Sequence, residues 1–147
     1  MAPHFTCPYF VDVCLKVIVP HLTTIGFVFE SPPSESHVRF RNETVAIEYH
    51  YLGDCFPWEL IVLIGKGESK TLELAKHQLI PSWFVLEKLP AETHEVLEHF
   101  RDDASLESAL LATLKSTILN KLLDTAADDK QWRRIYGAYQ KYCDELE

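Results

Sequence analysis

Three strand-like segments, whose charged residues and histidines all fall on one face, restrict this chain to folds that contain an antiparallel sheet. They cover residues 37–40, 45–52 and 58–64. Alternation with a period of two is typical of strands that bury one face, and the short polar stretches between them are typical of hairpin turns. Pairing Phe40 with Val45, and Tyr51 with Trp58, buries the same face of the middle segment in both hairpins. This agreement predicts a three- to four-stranded antiparallel meander.

Helical patterns lie on both sides of the meander. The segment "ESPPSES", residues 30–36, is typical of a loop, and Pro20 is expected to end or kink the first helix. The predicted helices cover 8–19, 71–79, 91–100, 105–123 with Ser105 as its cap, and 128–145. Residues 82–89 fit either a strand or a helix. The order predicts one α+β domain over residues 1–147, with an N-terminal helix and a helical C-terminal half packed on one sheet face.

The composition is that of an acidic globular protein. The 147 residues carry a formal net charge of −8, and 47% of them are apolar. The largest basic cluster is the pair Arg133-Arg134. Because nucleic-acid binding needs a basic face, we expect no nucleic-acid partner, and an acidic chain instead favours a basic protein partner.

The cysteines and the N-terminal segment bear on the compartment. The four cysteines form no Cys-x-x-Cys motif, which argues against a structural zinc site or a redox dithiol. Residues 1–22 lack a basic start, and Asp12 and Lys16 interrupt their apolar run. We therefore expect neither a signal peptide nor a membrane span, and a cytoplasmic protein with reduced cysteines.

The stretch "THEVLEHF", residues 93–100, resembles a metal-binding helix in composition but not in spacing. The two histidines of a zinc-hydrolase helix are four residues apart and share a face. His94 and His99 are five apart, so they point to different sides of a helix. We therefore expect no metal and no cofactor here.

Polar residues of the meander form the best candidate site. In the register above, His37 faces Glu48 and His50 faces Glu59, with Arg39 beside them, at cross-strand distances of about 5 Å. We expect a solvated face with charge-complementary pairs, which could bind an anion, a metal or a partner's side chains. The face lacks a nucleophile, so we assign no catalytic residue. The binding residues are His37, Arg39, Glu48, His50 and Glu59.

The order of features resembles small bacterial α+β proteins, some of which are immunity proteins of toxin systems. The resemblance lies in an N-terminal helix that ends in Gly26-Phe27, a meander over 38–64 and a helical tail around Trp132. It implies a bacterial, non-catalytic protein that works by binding another protein.

These observations predict a non-catalytic, acidic protein-binding domain. The most specific version of this prediction is immunity-like neutralisation of a basic partner protein. The alternative is a small-ligand binder or minor enzyme that uses the His37/Glu48/His50/Glu59 face. A third possibility is a subunit that forms homodimers through a sheet edge or the last helix.

Overall fold

The structure, a computed structural model, describes residues 7–53, 56–66, 79–87, 99–115 and 117–146. The fold is α+β, as the sequence predicts. The helices are α1 Phe10–Thr23, α2 Ser82–Glu87, α3 Asp103–Lys115, α4 Thr117–Ala127 and α5 Asp129–Leu146. The strands are β1 Val28–Ser34, β2 His37–Arg41, β3 Val45–Leu52, β4 Trp58–Lys66, β5 Leu79–Pro81 and β6 His99–Phe100.

The described strands form one antiparallel sheet in the order β1-β2-β3-β4-β5, and β6 also pairs with β4. It contains more strands than the three or four predicted. Strand β1 includes residues 30–34 of the segment that was predicted to be a loop, with a register irregularity between Glu30 and Ser34. The short strands β5 and β6 both add to β4, through pairs such as Leu63–Pro81 and Trp58–Phe100.

The predicted faces are correct, but both hairpin registers are wrong by two residues. Phe40 pairs with Ile47 instead of Val45, and Tyr51 pairs with Leu60 instead of Trp58. A shift of two keeps every side chain on its face. In the first hairpin the cause is a tight turn at Asn42, whose N–H donates to the Val45 carbonyl at 2.9 Å. The Asn42 side-chain oxygen accepts hydrogen bonds from the N–H groups of Thr44 and Val45.

The core lies between the apolar sheet face and the helices. Helix α1 contacts β1, β2 and α3, and α4 contacts β3 and β4. The sheet contributes side chains that are almost fully buried: Val38, Phe40, Ile47, Tyr49, Leu60 and Ile64. The Tyr49 hydroxyl is hydrogen-bonded to the Thr113 hydroxyl of α3 at 3.0 Å, so this buried polar group has a partner.

Several predicted helix boundaries are wrong. Helix α1 continues through Pro20 to Thr23, because Leu22 is buried and keeps the last turn packed on the core. Residues 105–123 form two helices, α3 and α4, instead of one. The start of α3 is capped by Asp102, whose carboxylate accepts the Ser105 N–H at 2.8 Å, so Ser105 is not the cap.

The structure also decides the described part of the ambiguous segment 82–89 and corrects the end of the predicted helix 91–100. Residues 82–87 are helical, as α2. His99 and Phe100 are a strand instead of the end of a helix, because Phe100 is buried beside Trp58. Residues 71–78 and 91–98, which hold the rest of two predicted helices and His94, lie outside the described residues. Among the residues described, no helix combines the length and apolar composition that crossing a membrane requires.

The sheet core predicts a large effect for a single truncation. Ile47 is fully buried at the centre of the apolar face, so Ile47→Ala should lower the free energy of unfolding by about 2–5 kcal/mol. Ile25→Ala is the matched control, because Ile25 is 55% exposed and the same atoms are removed; its effect should stay within about 0.5 kcal/mol. Equal losses in chemical denaturation would contradict the placement of Ile47 in the core.

Candidate functional site: a histidine–glutamate cluster on the sheet

Three strands bring charged side chains into one row across the other sheet face. Glu30 on β1 lies opposite Arg39 on β2, and Arg39 lies opposite Glu48 on β3. Two residues along the same two strands, His37 lies opposite His50. Since side chains two apart on a strand share a face, both pairs point to the same side of the sheet. We call His37, Arg39, Glu48 and His50 the histidine–glutamate cluster.

The base of the cluster is a buried ion pair. Arg39 Nε donates to Glu48 Oε2 at 2.9 Å, and Arg39 Nη2 lies 2.8 Å from the same oxygen. Only 8% of the Arg39 side chain and 2% of the Glu48 side chain are exposed. Charge-assisted hydrogen bonds of this length are the strong ones in proteins.

Two further charges complete the row at its outer edge. Arg39 Nη1 lies 3.9 Å from Glu30 Oε2, and Glu30 also forms an ion pair with Arg41. Two carboxylates therefore face two guanidinium groups, and the row is neutral when the histidines are neutral. It contributes nothing to the net negative charge of the chain.

The two imidazoles converge on the second oxygen of Glu48. His50 Nε2 lies 2.9 Å from Glu48 Oε1, and His37 Nε2 lies 3.6 Å from it. The rings are stacked, with centroids 4.3 Å apart and planes 10° from parallel. The side chains are 17% exposed for His37 and 28% for His50, so solvent reaches the rings but not the carboxylate beneath them.

The surroundings of Glu48 set its ionisation. Burial acts to raise the pKa of the Glu48 carboxyl, but the hydrogen bond with His50 and the positive charge of Arg39 outweigh it. The net effect lowers the pKa of Glu48 below its ordinary value. The carboxylate is therefore ionised at neutral pH.

The structure brings together four of the five predicted binding residues. Glu59 is the exception: it pairs with Leu52 on β3 and His99 on β6, and so does not face His50. The two-residue register shift is the reason, and it also places Arg39, instead of His37, directly opposite Glu48. His37 still reaches Glu48, but along a diagonal.

Two features of the site were missed. The predicted solvated face is wrong at its centre, because Arg39 and Glu48 are buried. Glu30 and Arg41 belong to the same charge row, but Glu30 was placed in a loop. The aromatic and β-branched run at residues 27–29, just before Glu30, was the sequence signal that could have extended the sheet to Glu30.

Loss of the Glu48 charge predicts a pH-dependent instability. Glu48→Gln leaves the buried Arg39 with only the more distant carboxylate of Glu30, at 3.9 Å, and should lower the free energy of unfolding by up to about 3–5 kcal/mol at pH 7. The folded pKa is lowered, so the stability that the charge adds is complete above the unfolded pKa of about 4.3. It is lost as the pH falls below that value through the folded pKa.

Urea unfolding of both proteins between neutral and acidic pH tests this. The difference in the free energy of unfolding between wild type and Glu48→Gln should become smaller below about pH 4.3. The control is Glu43→Gln, at an exposed turn position, and its free energy of unfolding should differ little from that of wild type at any pH. A gap that stays constant with pH would rule out a charge-dependent role for Glu48.

Comparisons with protein-family models, with curated proteins and with solved structures found no match to this chain. The resemblance to toxin-immunity proteins therefore stays a prediction. Function is inferred from the residues of the cluster and their geometry.

Proposed function

We propose that this chain is a non-catalytic binding protein and that the histidine–glutamate cluster is its ligand site. One observation carries the proposal: two partly exposed imidazoles converge on one oxygen of a buried carboxylate. A ligand that arrives from solvent meets the rings of His37 and His50 first. Beneath them it meets the Glu48 carboxylate, whose Oε2 is paired with Arg39 and whose Oε1 faces the two rings.

Stability alone is a poor explanation for this arrangement. Removing two charges from water costs several kcal/mol per ion, and well-packed apolar residues at the same positions often stabilise a protein equally well or better. Arg39 and Glu48 occupy such positions, and two histidines with solvent access are placed over them. Clusters of this kind, with a shifted carboxyl pKa, are concentrated at functional sites.

The chemistry of the cluster favours binding over catalysis. A general acid or base works best when its pKa lies near the operating pH, and the pKa of Glu48 is shifted away from neutrality. Both Glu48 oxygens already have partners in Arg39 and the histidines. None of the four cluster residues is a serine, cysteine or lysine that could act as a nucleophile.

We also propose a second candidate function, which is the binding of a basic partner protein. Its most specific version is immunity-like neutralisation of a toxin. The net charge of −8 favours it, since opposite charge steers association. Exposed carboxylates such as Asp124, Asp144 and Glu145 on α4 and α5 would contribute to it. Glu48 would not, because it is buried and paired with Arg39.

A thermal-shift screen tests the ligand site. The ligands are divalent metal chlorides, inorganic phosphate and a lysine-rich peptide, each with untagged protein. A ligand at about 100 times its Kd adds about 2.7 kcal/mol, which for a chain of this length raises Tm by about 5–10 °C. At least one of these three classes of ligand should raise the Tm of wild type but not that of the double variant His37→Ala/His50→Ala.

The matched control is His21→Ala/His99→Ala, which removes two exposed imidazoles from α1 and β6 and should behave like wild type. If no class distinguishes the cluster variant from this control, the cluster is not a ligand site. Peptide binding that weakens with salt and persists in the cluster variant would favour the second candidate instead, because exposed charges are screened beyond about 10 Å at 0.1 M ionic strength.

A further inference from the structure

Three side chains of the cluster present metal-ligand atoms within a small space. The candidate ligand atoms of His37, Glu48 and His50 all lie within 4.8 Å of one another. Two ligand atoms on one tetrahedral ion, at about 2.0–2.1 Å from it, are about 3.3 Å apart. The distances from Glu48 Oε1 to the two Nε2 atoms, 2.9 and 3.6 Å, lie on either side of that value.

Arg39 contacts one oxygen of Glu48 and leaves the other oxygen facing the histidines. Both contacts that Arg39 makes with Glu48 go to Oε2, so Oε1 alone faces the imidazoles. Metal-binding carboxylates are commonly held by such an outer partner, which fixes the direction of the free oxygen. Here the fixing partner is buried, with 8% of its side chain exposed.

We propose that His37, Glu48 and His50 form a binding site for a divalent transition-metal ion of the zinc class. The ligands are Nε2 of each histidine and Oε1 of Glu48, with Arg39 as the positioning residue. This assignment rests on the proposed function, because it names the ligand of the same cluster. It also departs from the sequence analysis, which expected no metal.

The donor set selects the ion. Imidazole nitrogens favour zinc, copper, nickel and cobalt ions, whereas calcium and magnesium prefer sites made of oxygen atoms. Three protein ligands leave at least one position for water, as in open zinc sites.

The stacked rings require one movement on binding. The lone pair of an imidazole nitrogen lies in the ring plane, so two nearly parallel rings 4.3 Å apart cannot both aim at one ion. At least one ring has to turn about its Cβ–Cγ bond, a torsion with broad energy wells in histidine. The partial exposure of both rings leaves room on the solvent side. Binding should therefore end the His37–His50 stacking.

Calorimetric titration of the untagged full chain with Zn²⁺ tests the site. We expect one ion per chain in wild type, and affinity reduced at least tenfold in His37→Gln and in His50→Gln. Glutamine keeps an N–H that can donate to Glu48, but its amide nitrogen does not bind metal, so these variants should stay folded by circular dichroism. His21→Gln and His99→Gln, at exposed positions, should bind like wild type. Mg²⁺ should give no heat of binding.

Two spectra complete the test. Co²⁺ in place of Zn²⁺ should give visible absorption typical of nitrogen and oxygen ligands, and the ring-proton NMR signals of His37 and His50 should shift together as the rings separate. Unchanged Zn²⁺ affinity in both glutamine variants, or no binding by wild type, overturns the metal assignment. If phosphate or the peptide still stabilises wild type in the thermal-shift screen and requires both histidines to do so, only the metal assignment is wrong. If no ligand in that screen requires the two histidines, the proposed function is wrong as well.

Discussion

The ion pair between Arg39 and Glu48 is the interaction on which the arrangement of the polar sheet face depends. It joins β2 to β3 at directly opposite positions, with 2% of the Glu48 side chain exposed. The pair fixes both partners, since Arg39 occupies one carboxylate oxygen and the imidazoles of His37 and His50 converge on the other. A buried charge that loses its partner is strongly destabilising. The strand register, the ionisation of Glu48 and the placement of the histidines are therefore coupled.

Much of the fold follows from the sequence because side chains alternate strictly along a strand. Ile47 and Glu48 were assigned to opposite faces from their pattern alone, and a register error of two residues cannot alter that assignment. The register itself depends on turn geometry, which alternation does not specify. The bonds that Asn42 makes within its turn place the centre of the first hairpin one residue later in the chain than the pattern suggests, and this shifts the pairing by two residues.

The site was predicted in outline but not in its chemistry. The pattern placed His37, Arg39, Glu48 and His50 on one face, and they do lie together. Burial could not be predicted, because it depends on β1 and on the Glu30 that β1 supplies, in a proline-rich segment that is typical of a loop. The pairing of Glu59 with β6 could not be predicted either, since His99 is forty residues distant in the chain.

A double-mutant cycle tests the central claim most directly, namely that Arg39 and Glu48 act as a buried pair maintained for the site. Arg39→Met and Glu48→Leu should each lower the free energy of unfolding, by up to about 3–5 kcal/mol, because each leaves a buried charge without its buried counter-ion. The double variant removes both charges and should be clearly more stable than the sum of the two losses predicts, while no longer binding a ligand at the cluster. Losses that simply add in the double variant would contradict the account, because they would mean that the two side chains contribute independently.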